Sequence, residues 1–227
     1  MNSQLLQLYY IQRKIIKMPE NNSIGKNKRT LFASMELIMK NLQENMDHLS
    51  NPKHAKFTEE FIKIVHEGLQ QNRKFFLLAS GRSAFILQCF ATRLVHLGAE
   101  VYMVTNLASN PALSKQDILI VLSGSGTTAI VVSLLENIVN NVKPRGIISI
   151  TSHPETIIGR IGDVTIKLKG RSKQDRTHAG DDTAILTPEG TAFEQVAFTY
   201  LDGIVAELAV KMKLTNDDLL KKHANGT

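Results

Sequence analysis

Ile118-Leu119-Ile120-Val121-Leu122-Ser123-Gly124-Ser125-Gly126-Thr127-Thr128, followed at once by the periodic run 129–141, decides how this chain folds. The first five residues form a continuous apolar run, the pattern of a strand covered on both faces. Ile130, Val131, Leu134, Leu135 and Ile138 then recur at helical spacing. A strand that empties through a Ser/Gly turn into a helix builds an anion site. The first N–H groups of a helix lack intrahelical partners, and the macrodipole adds partial positive charge there. Glycines let the main chain approach a ligand closely, and Ser123, Ser125, Thr127 and Thr128 add hydroxyl donors. The ligand this favours is a phosphate, and the lack of a following Lys sets the turn apart from a nucleotide-binding P-loop. Ser-Gly-Ser-Gly by itself reads equally as a linker or an ordinary turn; the strand before it and the helix after it favour the phosphate site.

The same alternation continues outward from this stretch. Residues 75–79, 101–104, 117–122, 146–151 and 164–168 read as strands, and 84–97 as a helix stopped by Gly98. Residues 31–49 form a helix broken by Ser50-Asn51-Pro52. A second helix carries Phe57, Phe61, Ile64, Val65 and Leu69 and opens near Thr58. Residues 190–213 form a long helix with a broad apolar stripe, and 217–223 a short terminal one. The fold class is therefore α/β: a doubly wound, mostly parallel five-stranded sheet flanked by helices, with N-terminal helices and a long C-terminal helix. Ligands of such sheets bind beyond the carboxyl ends of the strands. The turns at Ser80–Ser83 and Ser123–Thr128, with Thr151-Ser152, lie at three such ends and converge on one crevice. The polar stretch 170–188 has no clear period and reads as an active-site or interface loop, or equally as a flexible surface loop.

The 227 residues suffice for one domain with a large core. The expected division is a basic extension over 1–29 and a single domain over 30–227. The extension has apolar residues from Leu5 to Ile16 that suit an amphipathic helix, then a polar stretch with Pro19, Asn21, Asn22, Gly25 and Asn27 that reads as a linker. Net charge is +6, but residues 1–30 hold six basic residues against one acidic, so the rest of the chain is nearly neutral. With no zinc-finger spacing and no aromatic-basic sheet motif, the charge does not point to nucleic acid. No apolar run approaches the ~18 residues of a membrane span. Cys89 is the sole cysteine, so no intrachain disulfide forms. It stands among Phe85, Ile86, Leu87 and Phe90 and reads as a buried small hydrophobe. These features favour a cytoplasmic protein.

Taken together, these pieces resemble the sugar isomerase (SIS) domain family, and within it the 6-phospho-3-hexuloisomerases. The resemblance rests on Gly81-Arg82-Ser83, Arg93-Leu94-Val95-His96-Leu97-Gly98, Ser123-Gly124-Ser125-Gly126, Ile150-Thr151-Ser152, Pro188-Glu189-Gly190-Thr191-Ala192-Phe193-Glu194 and the tail Lys222-His223-Ala224-Asn225. It implies an enzyme that interconverts D-arabino-hex-3-ulose 6-phosphate and D-fructose 6-phosphate through an enediol. It further implies no metal or other cofactor, a small-molecule sugar phosphate as partner, a homo-oligomer (a tetramer), and a place in formaldehyde assimilation through the ribulose monophosphate route or in its reverse, which supplies pentose phosphates. Phosphate binding falls to Ser80, Gly81, Arg82, Ser83, Ser123, Gly124, Ser125 and Thr128. Arg82 would clamp the phosphate or polarise a substrate oxygen, or is simply a surface arginine. Glu194 is the expected base: enolisation needs a carboxylate held over the substrate carbon, although most helix glutamates are solvated. His223 is the expected acid–base group, reaching a neighbouring subunit's site, or else an exposed tail residue. His96 reads as a core or helix-end histidine. The chain departs from the family pattern at Ala79, Ser80, Thr127 and Glu189, the last standing where an apolar residue is common. A phosphosugar-binding sensor without catalysis, and an isomerase of another sugar phosphate, are the competing functions.

Overall fold

The structure, a computed structural model, describes residues 29–106, 109–170, 175 and 183–222. In chain order it runs α1 (Thr30–Leu49), α2 (Pro52–Gln70), β1 (Lys74–Leu78), α3 (Arg82–His96), β2 (Glu100–Met103), β3 (Ile118–Leu122), α4 (Ala129–Asn141), β4 (Gly146–Thr151), α5 (Ile157–Ile161), β5 (Val164–Lys167) and α6 (Thr183–Leu186). A 3-10 turn (Pro188–Gly190), the long α7 (Thr191–Lys211) and α8 (Asn216–Leu220) complete it. The strands form one sheet in the order β2-β1-β3-β4-β5, and every pairing is parallel. Parallel neighbours need crossovers; α3, α4 and α5 supply them.

β3 is the middle strand. Its Ile120 lies beside Leu77 of β1 and Ile148 of β4, and all five of its residues are buried. Side chains alternate across the sheet. Ile118, Ile120 and Leu122 enter one core with Phe61, Phe90, Phe193 and Leu201, from α2, α3 and α7. Leu119 and Val121 enter the other, with Val131, Leu135 and Ile158 from α4 and α5. Covering both faces is what makes the strand read as one unbroken apolar run. The strand order reverses between β1 and β3, so the crevice of this sheet opens at their carboxyl ends.

The structure moves some sequence-based boundaries. α2 begins at Pro52, six residues before Thr58, because the Asn51 side chain accepts from Lys53 N–H at 3.0 Å and proline suits the first helical position. α5 and α6 have five and four residues, too few for any periodic signal. Cys89 is exposed, against the sequence expectation. Leu87, Phe90 and Leu94 turn inward, while Cys89 shares the outer face of α3 with Phe85 one turn earlier. His96 is buried in the last turn of α3. A tie legible only in three dimensions comes from Asn45, which is buried on α1. Its amide donates to Lys169 C=O at 2.7 Å and accepts from Lys169 N–H at 2.7 Å, fixing the exit from β5. Residues 1–28, most of 170–188, and His223 lie outside the described residues. Among the described residues, no helix is long and apolar enough to cross a membrane.

Two stability predictions follow from packing and charge. A Cβ at Gly68 of α2 would lie 2.4 Å from Ile118 Cδ1 and 2.8 Å from the Phe75 ring. Gly68→Ala should therefore cost about 1–3 kcal/mol by overpacking, read as a lower urea midpoint. Where α1 meets α2, the His48 and His54 rings lie 3.8 Å apart. Burial, then the charges of His54, Lys169 and Lys167, hold the His48 pKa below its ordinary 6.5. A depressed histidine pKa means that protons prefer the unfolded chain, so this part of the stability is intact above 6.5 and lost as pH falls from 6.5 through the lowered folded value. His48→Gln should flatten that acid limb in urea titrations run across the same pH window.

Candidate functional site

Three of the helices that begin at the carboxyl end of the sheet open on one cleft, each without a side-chain cap on its N-terminus. α3 follows β1 through Ala79, Ser80 and Gly81; Gly81 is its N-cap at φ 61°, a conformation that favours glycine. α4 follows β3 through the Ser/Gly turn, with Thr128 as N-cap. α7 opens at Gly190, at φ 92°. Arg82 and Ser83 of α3, Ala129 of α4 and Gly190 of α7 all line a single cleft of about 400 Å³. Uncapped N–H groups at three helix ends make this cleft an acceptor of anions.

The eight residues singled out for phosphate binding, Ser80, Gly81, Arg82, Ser83, Ser123, Gly124, Ser125 and Thr128, are together in its wall, and Glu194 is with them. The Ser/Gly turn is braced from within. Ser123 Oγ accepts from Gly126 N–H at 3.2 Å and lies 3.1 Å from Thr128 Oγ1. Ser125 Oγ accepts from Thr127 N–H at 3.3 Å. The turn is also sewn to the end of β4: Ser152 N–H donates to Gly124 C=O at 3.1 Å, and Thr151 Oγ1 donates to the same carbonyl at 3.3 Å. The two glycines are needed for packing as well as for ligand approach. A Cβ on Gly124 would lie 2.9 Å from the Phe193 ring, and one on Gly126, at φ 65°, 1.9 Å from Thr156 Oγ1.

Glu194 sits one turn into α7 and is only 6% exposed. Its Oε2 meets Arg82 Nε at 2.9 Å, an ion pair that falls short of an aligned hydrogen bond. A buried carboxylate is costly unless a cation or hydrogen bonds offset its desolvation, and Arg82 supplies the cation from the first residue of α3. The guanidinium is still 56% exposed, so it also faces the cleft. The sequence left Arg82 between clamping the phosphate or polarising a substrate oxygen and a surface arginine; the structure gives it a carboxylate partner that none of these readings named. Glu189, Gly190 and Phe193 also line the cleft. Sequence reasoning did not assign them to the site, although Pro188-x-Gly190-Thr191 ahead of a helix was a signal for a tight entry turn. Among the described residues, no group of three or more His, Cys, Asp or Glu side chains is placed to hold a metal ion.

Gly126→Ala should strain the left-handed turn by about 1–2 kcal/mol, beyond its clash with Thr156. Inorganic phosphate should raise the melting temperature of the unaltered chain and leave that of this variant unchanged, read by melting with and without phosphate.

The SIS domain profile matches residues 68–180. An uncharacterized protein of Archaeoglobus fulgidus is 34% identical over 185 residues, covering 81% of this chain and 94% of that one. The 3-hexulose-6-phosphate isomerase of Methanocaldococcus jannaschii is 33% identical over 156 residues, covering 67% of this chain and 77% of that enzyme. A crystal structure of a hypothetical protein from Methanococcus jannaschii, from which the function of 3-hexulose-6-phosphate isomerase was inferred, is similar with a TM-score of 0.70. It is 26% identical and covers 86% of this chain and 99% of that one.

Proposed function

The chain belongs to the SIS domain family, and from that premise we propose that it is a phosphosugar isomerase interconverting D-arabino-hex-3-ulose 6-phosphate and D-fructose 6-phosphate. One observation carries the reading: a buried carboxylate, Glu194, shares a single cleft with two Ser-bearing turns and three uncapped helix N-termini. A phosphate at the turns tethers the substrate. A carboxylate in the same cleft can then remove a proton from carbon. The similarity to enzymes named for this reaction supports the choice of sugar.

The chemistry balances within the substrate. From fructose 6-phosphate, Glu194 removes the C3 proton while the C2 carbonyl oxygen gains one, giving an enediol between C2 and C3. Return of the carbon-bound proton to C2, with loss of the O3 proton, places the carbonyl at C3. Arg82, paired with the base and exposed to the cleft, offsets the negative charge that develops on the substrate oxygens. His223 is the proposed group for the oxygen protons, acting from a neighbouring subunit. Assembly into a homo-oligomer, a tetramer in this reading, is supported by an apolar surface beside the cleft. Phe85 is 66% exposed and Phe198 38% exposed, and with Cys89 they line a recess that also touches Arg82 and Glu194. In the same reading, residues 30–227 form one SIS domain, 1–29 are an added extension, and the enzyme is cytoplasmic.

Glu194→Gln should retain the fold and bind fructose 6-phosphate while turnover drops by about 10²–10⁴-fold, the usual contribution of a positioned base. The assay is exchange of the C3 proton with solvent deuterium, followed by NMR beside formation of the 3-hexulose phosphate. Unchanged exchange in the variant removes Glu194 as the base. Binding without exchange in the unaltered chain replaces the isomerase with a phosphosugar sensor.

A further inference from the structure

Four non-glycine residues among those described have left-handed φ: Asn72, Lys143, Lys213 and Glu189. The first three follow the C-caps of α2, α4 and α7, where a left-handed residue ends a helix as a matter of course. Glu189 is different. It precedes a helix, at φ 56° and ψ 25°, inside the turn Pro188–Gly190, and it lines the cleft. Glutamate has no intrinsic liking for this conformation, which crowds its Cβ against the backbone, and glycine would fill it without strain. A strained residue held on the wall of a ligand site is where function is looked for.

The cleft is polar from one side to the other. Its strand-end side carries the Ser/Gly turns and the starts of α3 and α4, which draw a phosphate. Around the entry to α7 it carries two acidic residues, Glu194, already paired with Arg82 at 2.9 Å, and Glu189 in the turn before the helix. A phosphorylated ketose has the same polarity: a dianionic phosphate at one end and neutral hydroxyls at the other. We propose that Glu189 is a specificity-determining residue that reads the end of the sugar lacking phosphate. Its carboxylate accepts hydrogen bonds from the terminal hydroxyls, and it repels a second phosphate, so that sugar bisphosphates and reversed substrates are turned away. This rests on the phosphosugar reading above. The left-handed backbone sets Glu189 at this wall and leaves Gly190 to cap α7.

Calorimetric titration with fructose 6-phosphate and fructose 1,6-bisphosphate tests it, on the unaltered chain, Glu189→Gln and Glu189→Gly. The unaltered chain should bind the monophosphate and discriminate against the bisphosphate. Glu189→Gln should weaken the monophosphate about tenfold and tighten the bisphosphate. Glu189→Gly should shift the preference the same way while raising the melting temperature, since it removes the strain. An unchanged preference in both variants overturns the inference, and a changed melting temperature alone leaves Glu189 only a helix-entry role. Failure of the unaltered chain to bind fructose 6-phosphate overturns the phosphosugar reading itself, and this inference with it.

Discussion

Strands buried on both faces leave polar groups nowhere to gather except at their ends, and the remaining features of this molecule answer to that constraint. β3 and β4 have only buried residues, and β1 has a single half-buried one at its start. The chain leaves the sheet through hydroxyl-rich turns because only there can it be hydrated or bind an ion. The exits of β1 and β3 also start helices whose first amides have no partner within the helix. The switch in strand order between β1 and β3 spreads two such exits apart, and α7 brings a third helix start to the gap. Anion affinity is thus a consequence of how the sheet is covered, before any single side chain is considered.

On that field the structure superimposes an ion pair that is buried at one partner only. Glu194 of α7 and Arg82 of α3 join elements that are more than a hundred residues apart in sequence and pack against the same face of the sheet. The pair has an uneven environment: the carboxylate is enclosed and the guanidinium faces solvent. The enclosed carboxylate is held in one place, and an exposed guanidinium can turn toward a ligand without abandoning it. That asymmetry suits a base whose partner must also meet charge appearing on the substrate.

The glycines illustrate how far a motif can be read. Ser123-Gly124-Ser125-Gly126 suggests close approach to a ligand, yet the nearest claims on those two positions are internal. Phe193 presses on Gly124 and Thr156 on Gly126. The turn is therefore locked from behind by α7 and by the segment after β4, while its front stays open to the cleft. Cys89 teaches the reverse. Its sequence neighbours are apolar, but burial on α3 is decided by which side of the helix faces the sheet, and residue 89 lies on the other side. A window of sequence reports composition; the packing partner selects the face.

The strands, most of the helices, the parallel sheet and the placing of the Ser-bearing turns at strand ends were legible in the sequence. These depend on period and on turn chemistry, both local properties. The eight phosphate-binding candidates and Glu194 come together in one cleft for the same reason, since strand ends in a parallel sheet share one edge; Thr151 and Ser152 do not line it but bond to Gly124 beside it, and His223 lies outside the described residues. What only the tertiary structure decided is pairwise and long-range: the Arg82–Glu194 contact, the clasp of Asn45 on Lys169, the outward face of Cys89, and the left-handed Glu189 on the cleft wall. Each depends on where two separate elements meet, or on a backbone conformation the residue would not choose for itself. Local sequence carries no record of a partner that arrives from a hundred residues away.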